Sequence, residues 1–191
     1  CRHRYRIASI MLTLGTMTLM SGALKAGEPD KEDLIKSALS GAPPMIAATA
    51  TVKDSKGNVL RPGSGAYTCF PREKAGTAPI CVEKAWEAWI DARKNNKPFT
   101  APGVGIAYML AGDAPDGGAS NVDPQAKAPT EHNHWVVEGP HVMILVPDAA
   151  ALDGLPAEPG TGDPYVMWKG TPYAHIMAPV AARPEQRASS Q

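Results

Sequence analysis

The sequence predicts an α+β domain: a mainly antiparallel β-sheet with two packed α-helices, long Gly/Pro-rich loops and one disulfide. Apolar runs of strand length recur along the chain and outnumber the helical patterns. Short turn-forming segments join most of these runs, which favours antiparallel neighbours. Glycine and proline are abundant, with 18 and 19 of 191 residues, so turns and loops must take up much of the chain.

The amino-terminal segment, 1–26, has the order of a secretory signal peptide. Three arginines among the first six residues precede an apolar run over 7–19, and small residues follow at 21–23. Cleavage after Ala23 fits this pattern best, and cleavage after Ala26 also fits it. The alternative is a retained transmembrane anchor, but the apolar run is short for a span of about 20 residues.

Removal of this leader changes the net charge of the remaining chain, and the leader itself indicates the compartment. Residues 27–182 are predicted to form a single domain, and the polar residues 183–191 a disordered tail. The leader holds four basic and no acidic residues, so 15 Lys and Arg remain against 19 Asp and Glu, a net charge of about −4. This balance argues against nucleic acid or an anionic membrane surface as partner. We expect a periplasmic or secreted protein without a stable membrane anchor.

Cysteine usage agrees with export. Beyond the leader only Cys69 and Cys81 remain, and an even pair in an oxidising compartment is expected to form a disulfide. A redox-active or metal-binding pair is the alternative, but the spacing is not C-x-x-C.

The first half of the chain predicts one helix and several strands. A helix over 30–40 follows from its apolar stripe and from Asp30 as a capping residue. A hairpin is predicted from 46–52 to 59–60, around the turn-forming cluster 54–58. A further strand over 66–70 carries Cys69.

The second half begins with the clearest helix, over 82–95, where apolar residues recur at three- and four-residue steps. Because Cys81 lies at its start, the disulfide is expected to join this helix to the preceding strand. A long polar loop is predicted over 111–133. The remaining predictions are strands over 104–110, 135–137, 141–146, 165–168 and 173–177, and a short helix over 148–155.

Two segments of the second half stand out: WVVEGPHVM at 135–143 and YVMWKGTPYAHIM at 165–177. Together with the Cys69/Cys81 pair, they resemble a family of small exported bacterial proteins of unknown function. The resemblance extends over about residues 30–180. It implies an exported domain, and it implies no activity, ligand or site residue.

A doubled His-x-Met pattern is the first candidate site. Side chains two residues apart on a strand share a face, so each strand presents an imidazole beside a thioether. If the two strands were neighbours in matching register, four ligands that suit copper would converge. These ligands are His141, Met143, His175 and Met177. Met109 and Met167 could add sulfur. The alternative is that the histidines are buried core residues and the methionines fill gaps.

The second candidate site is His132-x-His134 followed by Glu138. On an extended strand these three side chains share a face, and the spacing resembles the first metal motif of cupins, with His175 as a distant third histidine. The flanking glycines of that motif are absent, however, and the second motif is half met, by Pro172 and His175. Solvated loop histidines are the alternative.

These patterns leave three functions open. There is no G-x-S-x-G, P-loop, G-x-G-x-x-G in a strand–helix context or H-E-x-x-H motif. We expect an exported binding or accessory protein of unknown ligand, with copper at the His/Met strands as the leading hypothesis. The alternatives are a cupin-like metalloenzyme and an interaction module without a small-molecule site, which predicts a large exposed apolar surface instead. Whether the protein is an enzyme is left open.

Overall fold

An eight-stranded β-sheet with helices on both faces organises the chain. The computed structural model describes residues 29–160 and 162–183. The predicted signal peptide, 1–26, and most of the predicted tail, 184–191, lie outside the described residues.

The chain first forms two helices, four short strands and a third helix. Their bounds are α1 Lys31–Leu39, α2 Pro44–Thr49, β1 Thr51–Lys53, β2 Val59–Arg61, β3 Thr68–Phe70, β4 Ile80–Val82 and α3 Lys84–Lys94. The second half is formed by strands and one 3-10 turn. Their bounds are β5 Gly105–Met109, β6 Ala119–Ser120, β7 Trp135–Val136, β8 His141–Leu145, the 3-10 turn Ala149–Leu152, β9 Tyr165–Met167 and β10 His175–Pro179.

The strand order of the large sheet is β2-β1-β3-β4-β5-β8-β10-β9. The pairing of β1 with β3 is parallel, and the other pairings of this sheet are antiparallel. Strands β6 and β7 form a separate antiparallel pair. The expected α+β domain with a mainly antiparallel sheet is therefore confirmed. The described residues contain three α-helices rather than two.

Helix α3 presents its apolar stripe to the sheet. The Glu83 carboxylate caps the helix by accepting hydrogen bonds from the backbone N–H groups of Ala85 and Trp86, at 2.7 and 3.3 Å. Trp86, Trp89 and Ala92, spaced by three residues, are the buried residues of the helix.

The prediction of a strand over 46–52 is wrong in its first part, because α2 occupies Pro44–Thr49. Pro44 lies in the first turn of this helix, where its fixed φ favours helix and its missing N–H is not needed. Met45 and two alanines are good helix formers and outweigh the β-branched Ile46 and Thr49.

The predicted disulfide between Cys69 and Cys81 is confirmed, but it does not join a helix to a strand. Cys81 lies on β4, a three-residue strand too short to leave a period in the sequence, and faces Cys69 directly across the β3–β4 pair. The bridge therefore links two neighbouring antiparallel strands.

Two hydrophobic clusters lie on opposite faces of the sheet. Cys81 and Val82 are consecutive on β4, so their side chains point to opposite faces. Val82 packs in the cluster that contains α3, and Cys81 in the cluster that contains α1 and α2. Helices therefore cover opposite faces, with α3 on one and the first two helices on the other.

Among the described residues, no helix packs on the face opposite α3 over strands β5, β8 and β10. Its half-buried side chains belong to neither hydrophobic cluster of the described residues. They are Ile106, Val142, Ile144, Ile176 and Ala178. Just beyond the strand ends, Val104 and Val180 are 68% and 58% exposed. We call these seven residues the open face. None of them is polar or charged, so the open face is an apolar surface.

Loss of the disulfide is expected to destabilise the fold, because the unfolded chain without the bridge has a higher conformational entropy. The double variant Cys69→Ala/Cys81→Ala should have a free energy of unfolding lower by about 3 kcal/mol, because the bridge closes a short loop. Urea denaturation followed by circular dichroism measures this, with the exposed substitution Met45→Leu as control. An unchanged unfolding midpoint in the double variant would contradict the expectation.

Candidate functional site

The two His-x-Met strands lie side by side and turn the same face toward α3. Strands β8 and β10 are antiparallel neighbours, and Met143 is the direct cross-strand partner of Met177. We call these two residues the methionine pair. Both pack in the cluster that contains Trp86 of α3. His141 and His175 lie two residues away on their strands, so they share this face. All four side chains are buried.

The register separates the two histidines. His141 faces Pro179, which is four residues beyond His175 along β10. Four residues of strand span about 13 Å, whereas metal bonds to nitrogen and sulfur are about 2.0–2.3 Å long. This register therefore does not direct His141, His175 and the methionine pair to a single ion.

Each histidine instead has its own thioether neighbours. Met167 on β9 is the cross-strand partner of His175, and Met109 on β5 is the cross-strand partner of His141. The methionine pair lies between the two histidines. We call His175, Met167 and the methionine pair the His175 set. His141, Met109 and the methionine pair are the His141 set.

The imidazole of His175 is enclosed, and one of its nitrogens has no hydrogen-bond partner. Its Nδ1 lies 3.0 Å from the carbonyl oxygen of Tyr173. Because a carbonyl oxygen only accepts, Nδ1 carries the proton and donates it to this bond. The other nitrogen, Nε2, is buried without a partner among the described residues. Its lone pair is therefore free to bind a ligand.

Three indole rings surround this imidazole. The ring centroids of Trp86, Trp89 and Trp168 lie 5.3, 5.3 and 5.2 Å from that of His175, each in an edge-to-face arrangement. The guanidinium of Arg93 lies over two of these rings, Trp89 and Trp168, at 5.7 and 5.4 Å. The His175 set is thus screened from water by aromatic side chains on the α3 side.

Burial also keeps the His175 imidazole uncharged. It lowers the pKa of His175 from 6.5 to about 4, and the hydrogen bond to Tyr173 opposes this shift only in part. The coulombic effects of His141 and Arg93 lower the pKa of His175 further. At neutral pH the imidazole is therefore neutral, which is the form that binds metal ions.

The His141 imidazole is oriented in the same way but lies in charged surroundings. Its Nδ1 donates to the carbonyl oxygen of Gly139 at 2.7 Å. Burial raises the pKa of the neighbouring Asp113, and its hydrogen bond with Glu138 and the coulombic effect of His141 oppose this rise in part. A carboxylate oxygen of Asp113 also accepts the backbone N–H of Glu138 at 2.8 Å.

The structure does not bring the cupin-like residues together. The chain does not run as one strand from 132 to 138, because it turns at 131–133 and His134 has a φ of 45°. His132 and His134 are exposed, and the Nδ1 of His134 pairs with Glu158 at 3.0 Å. Glu138 is engaged elsewhere, as described next, and His175 lies under α3.

Glu138 is the centre of a buried ionic cluster. Its carboxylate is 1% exposed and accepts two hydrogen bonds from the Arg183 guanidinium, at 2.9 and 3.0 Å. It also accepts the hydroxyl of Tyr165 at 3.0 Å and the backbone N–H of Gly139 at 3.1 Å. Burial and this carboxylate raise the pKa of Tyr165. Every oxygen of Glu138 is thus used within the protein, which makes it a structural group.

Sequence reasoning missed this cluster and the indole enclosure. Arg183 is the first residue of the predicted tail, whereas its side chain is bound to Glu138. One signal was present: Glu138 lies between apolar segments that predict buried strands, and a buried carboxylate needs a cation. The partner, 45 residues away, is not visible in local sequence.

The candidate site depends on thioethers rather than on common metal ligands. Within the described residues, no three or more His, Cys, Asp or Glu side chains are arranged to hold a metal ion.

In the same part of the chain, no helix has both the length and the apolar character to cross a membrane.

Comparisons with known proteins add no family to this geometry. No protein-family model, no curated protein and no solved structure matches the chain. The chemistry of the site must therefore be inferred from the residues themselves.

Removal of the Arg183 side chain is expected to destabilise the protein strongly. Arg183→Ala leaves the buried Glu138 carboxylate without its cation, which costs about 3–5 kcal/mol of the free energy of unfolding. The matched control is Arg72→Ala, whose ion pair with Asp116 is exposed, so a loss of less than about 1 kcal/mol is expected. Urea denaturation of both variants measures the difference. Similar, small losses in both would show that the buried pair contributes little.

Proposed function

We propose that this protein is an exported binding protein that holds a monovalent copper ion at the His175 set. The observation that carries the proposal is the buried, unpartnered Nε2 of His175 beside thioethers at adjacent register positions. An imidazole lone pair and three thioethers are soft ligands, and soft ligands select Cu(I).

The bonding around His175 suits a metal ligand. Metal-binding imidazoles usually donate their second nitrogen to an oxygen acceptor, which fixes the tautomer and aims the free nitrogen at the ion. The bond from Nδ1 to the Tyr173 carbonyl has this form. The low pKa of His175 means that no proton has to leave Nε2 at neutral pH before the metal binds.

The surroundings favour a monovalent over a divalent ion. The enclosure consists of indole rings, and Arg93 places a positive charge behind two of them. The cost of removing an ion from water rises steeply with its charge, and no carboxylate belongs to the His175 set to offset a second positive charge. Cu(I), or Ag(I) as its chemical analogue, fits these conditions better than Cu(II) or Zn²⁺.

Export is part of this proposal. The leader pattern in 1–26 and the Cys69–Cys81 disulfide both support a location outside the cytoplasm. Mass spectrometry of the protein from its native cells should find a chain that begins after Ala23 or Ala26. A chain that retains the leader and has two free thiols would contradict export.

A second candidate function is an interaction module that uses the open face. This interpretation is supported by the apolar character of the open face, over which residues 29–160 and 162–183 place no helix. A second copy of the chain is the partner we propose, because it presents an identical uncharged face. This candidate predicts a concentration-dependent dimer that Ile144→Glu, at the centre of the open face, abolishes.

Cu(I) titration tests the leading proposal. The purified protein, titrated under ascorbate against a chromogenic Cu(I) chelator, should bind one ion and lose tryptophan fluorescence, because three indoles surround His175. Met167→Leu preserves volume and removes one ligand, so the affinity should fall at least about tenfold, as it does when even outer-shell partners of a metal site are lost. The control is Met45→Leu, whose side chain is 85% exposed.

Two outcomes of this titration contradict the proposal. One is that the folded wild-type protein binds no Cu(I) or Ag(I). The other is that Met167→Leu and Met45→Leu bind Cu(I) as tightly as the wild type. A dimer found together with the first outcome would favour the interaction module.

A further inference from the structure

We infer that the methionine pair is shared between two alternative Cu(I) positions, one at His175 and one at His141, and that a single ion exchanges between them. This inference rests on the proposed function. It is carried by an internal symmetry of the sheet that the sequence does not reveal.

Strands β5, β8, β10 and β9 are four consecutive antiparallel neighbours. A two-fold axis perpendicular to the sheet and between the residues of the methionine pair maps β8 onto β10 and β5 onto β9. The same axis maps His141 onto His175, because each histidine precedes its own methionine of the pair by two residues. It also maps Met109 onto Met167, because each is the cross-strand partner of the corresponding histidine.

The symmetry extends to the bonds that orient the rings. His141 Nδ1 donates to the carbonyl oxygen of Gly139, and His175 Nδ1 donates to that of Tyr173. In both cases the acceptor lies two residues earlier in the chain. Both imidazoles therefore have Nδ1 occupied by the same kind of bond, which leaves Nε2 as the nitrogen available to a metal.

The two positions cannot bind independently, because they share the methionine pair. For each histidine, one methionine of the pair lies two residues along the same strand. The other methionine of the pair lies diagonally across the two strands, within about 7–8 Å of the histidine backbone. An ion that leaves one imidazole can thus keep the pair as ligands while it reaches the other. No bond to carbon or hydrogen changes in this exchange, and no electron is transferred.

The surroundings give the two positions different roles. At the His141 end the Asp113 carboxyl accepts the backbone N–H of Glu138, three residues before His141, at 2.8 Å, and Met109 is only half-buried. At the His175 end the indoles enclose the imidazole, and Met167 is buried. The geometry therefore assigns the His141 position to uptake of the ion and the His175 position to its retention.

Equilibrium and kinetic titrations with Cu(I) of four proteins test the inference: the wild type, His141→Leu, His175→Leu and the double variant. Leucine removes the ligand and keeps an apolar side chain in the core. Wild type and both single variants should each bind one ion, with the affinity reduced at least about tenfold in His175→Leu. His141→Leu should load more slowly than wild type, and the double variant should bind none.

Substitutions that keep core volume separate ligand loss from misfolding. Met109→Leu should weaken the binding that remains in His175→Leu, and Met167→Leu should weaken the binding that remains in His141→Leu. Met45→Leu should change neither. Thermal melts followed by circular dichroism confirm that each variant is folded.

The outcomes distinguish this inference from the proposed function. If folded His175→Leu binds no Cu(I) while wild type does, the second position does not exist and the proposed function stands. If wild type binds two ions and each single variant one, the positions are independent and sharing is refuted. If wild type binds none, both proposals fail.

Discussion

The pairing of β8 with β10 is the constraint on which the rest of the structure depends. In its observed register Met143 opposes Met177, so both strands direct their histidines and methionines toward α3. Side chains alternate along a strand, and a slip of one residue would turn one of these sets to the opposite face. The indole enclosure, the buried imidazoles and the apolar open face all follow from this one register.

The buried ionic cluster fixes that register at one end of the strand pair. Glu138 precedes β8 and Arg183 follows β10, and their bidentate contact joins the two strands just beyond the ladder. The backbone N–H of Val180 also donates to the Pro140 carbonyl at 2.8 Å. A buried bidentate ion pair requires a fixed geometry, so it disfavours other alignments of the two strands. The cluster thus contributes to the choice of one alignment as well as to stability.

Local features of the fold could be predicted from sequence, and long-range ones could not. Helix α3, the strands around His141 and His175, and the Cys69–Cys81 bridge follow from periodicity and cysteine count. The three-residue strand around Cys81 has too few residues to show alternation, and Pro44 makes a helix where β-branched residues suggested a strand. The partners Met167 and Met109 depend on register across distant segments, which no local pattern encodes. The expected His-x-Met strands are neighbours, but antiparallel pairing places their histidines at opposite ends.

Packing alone accounts for the methionines but not for His175. Flexible thioethers fill irregular gaps, and four of them on one sheet face would be unremarkable as core. A leucine at position 175 would fill a similar volume. It would also avoid the free-energy cost of burying the imidazole nitrogen Nε2 without a hydrogen-bond partner. The rings of His175 and His141 are each held by a hydrogen bond from Nδ1 to the carbonyl oxygen two residues earlier. We propose that a ligand bound by both imidazole and sulfur accounts for the buried, unpartnered imidazole of His175 beside thioethers.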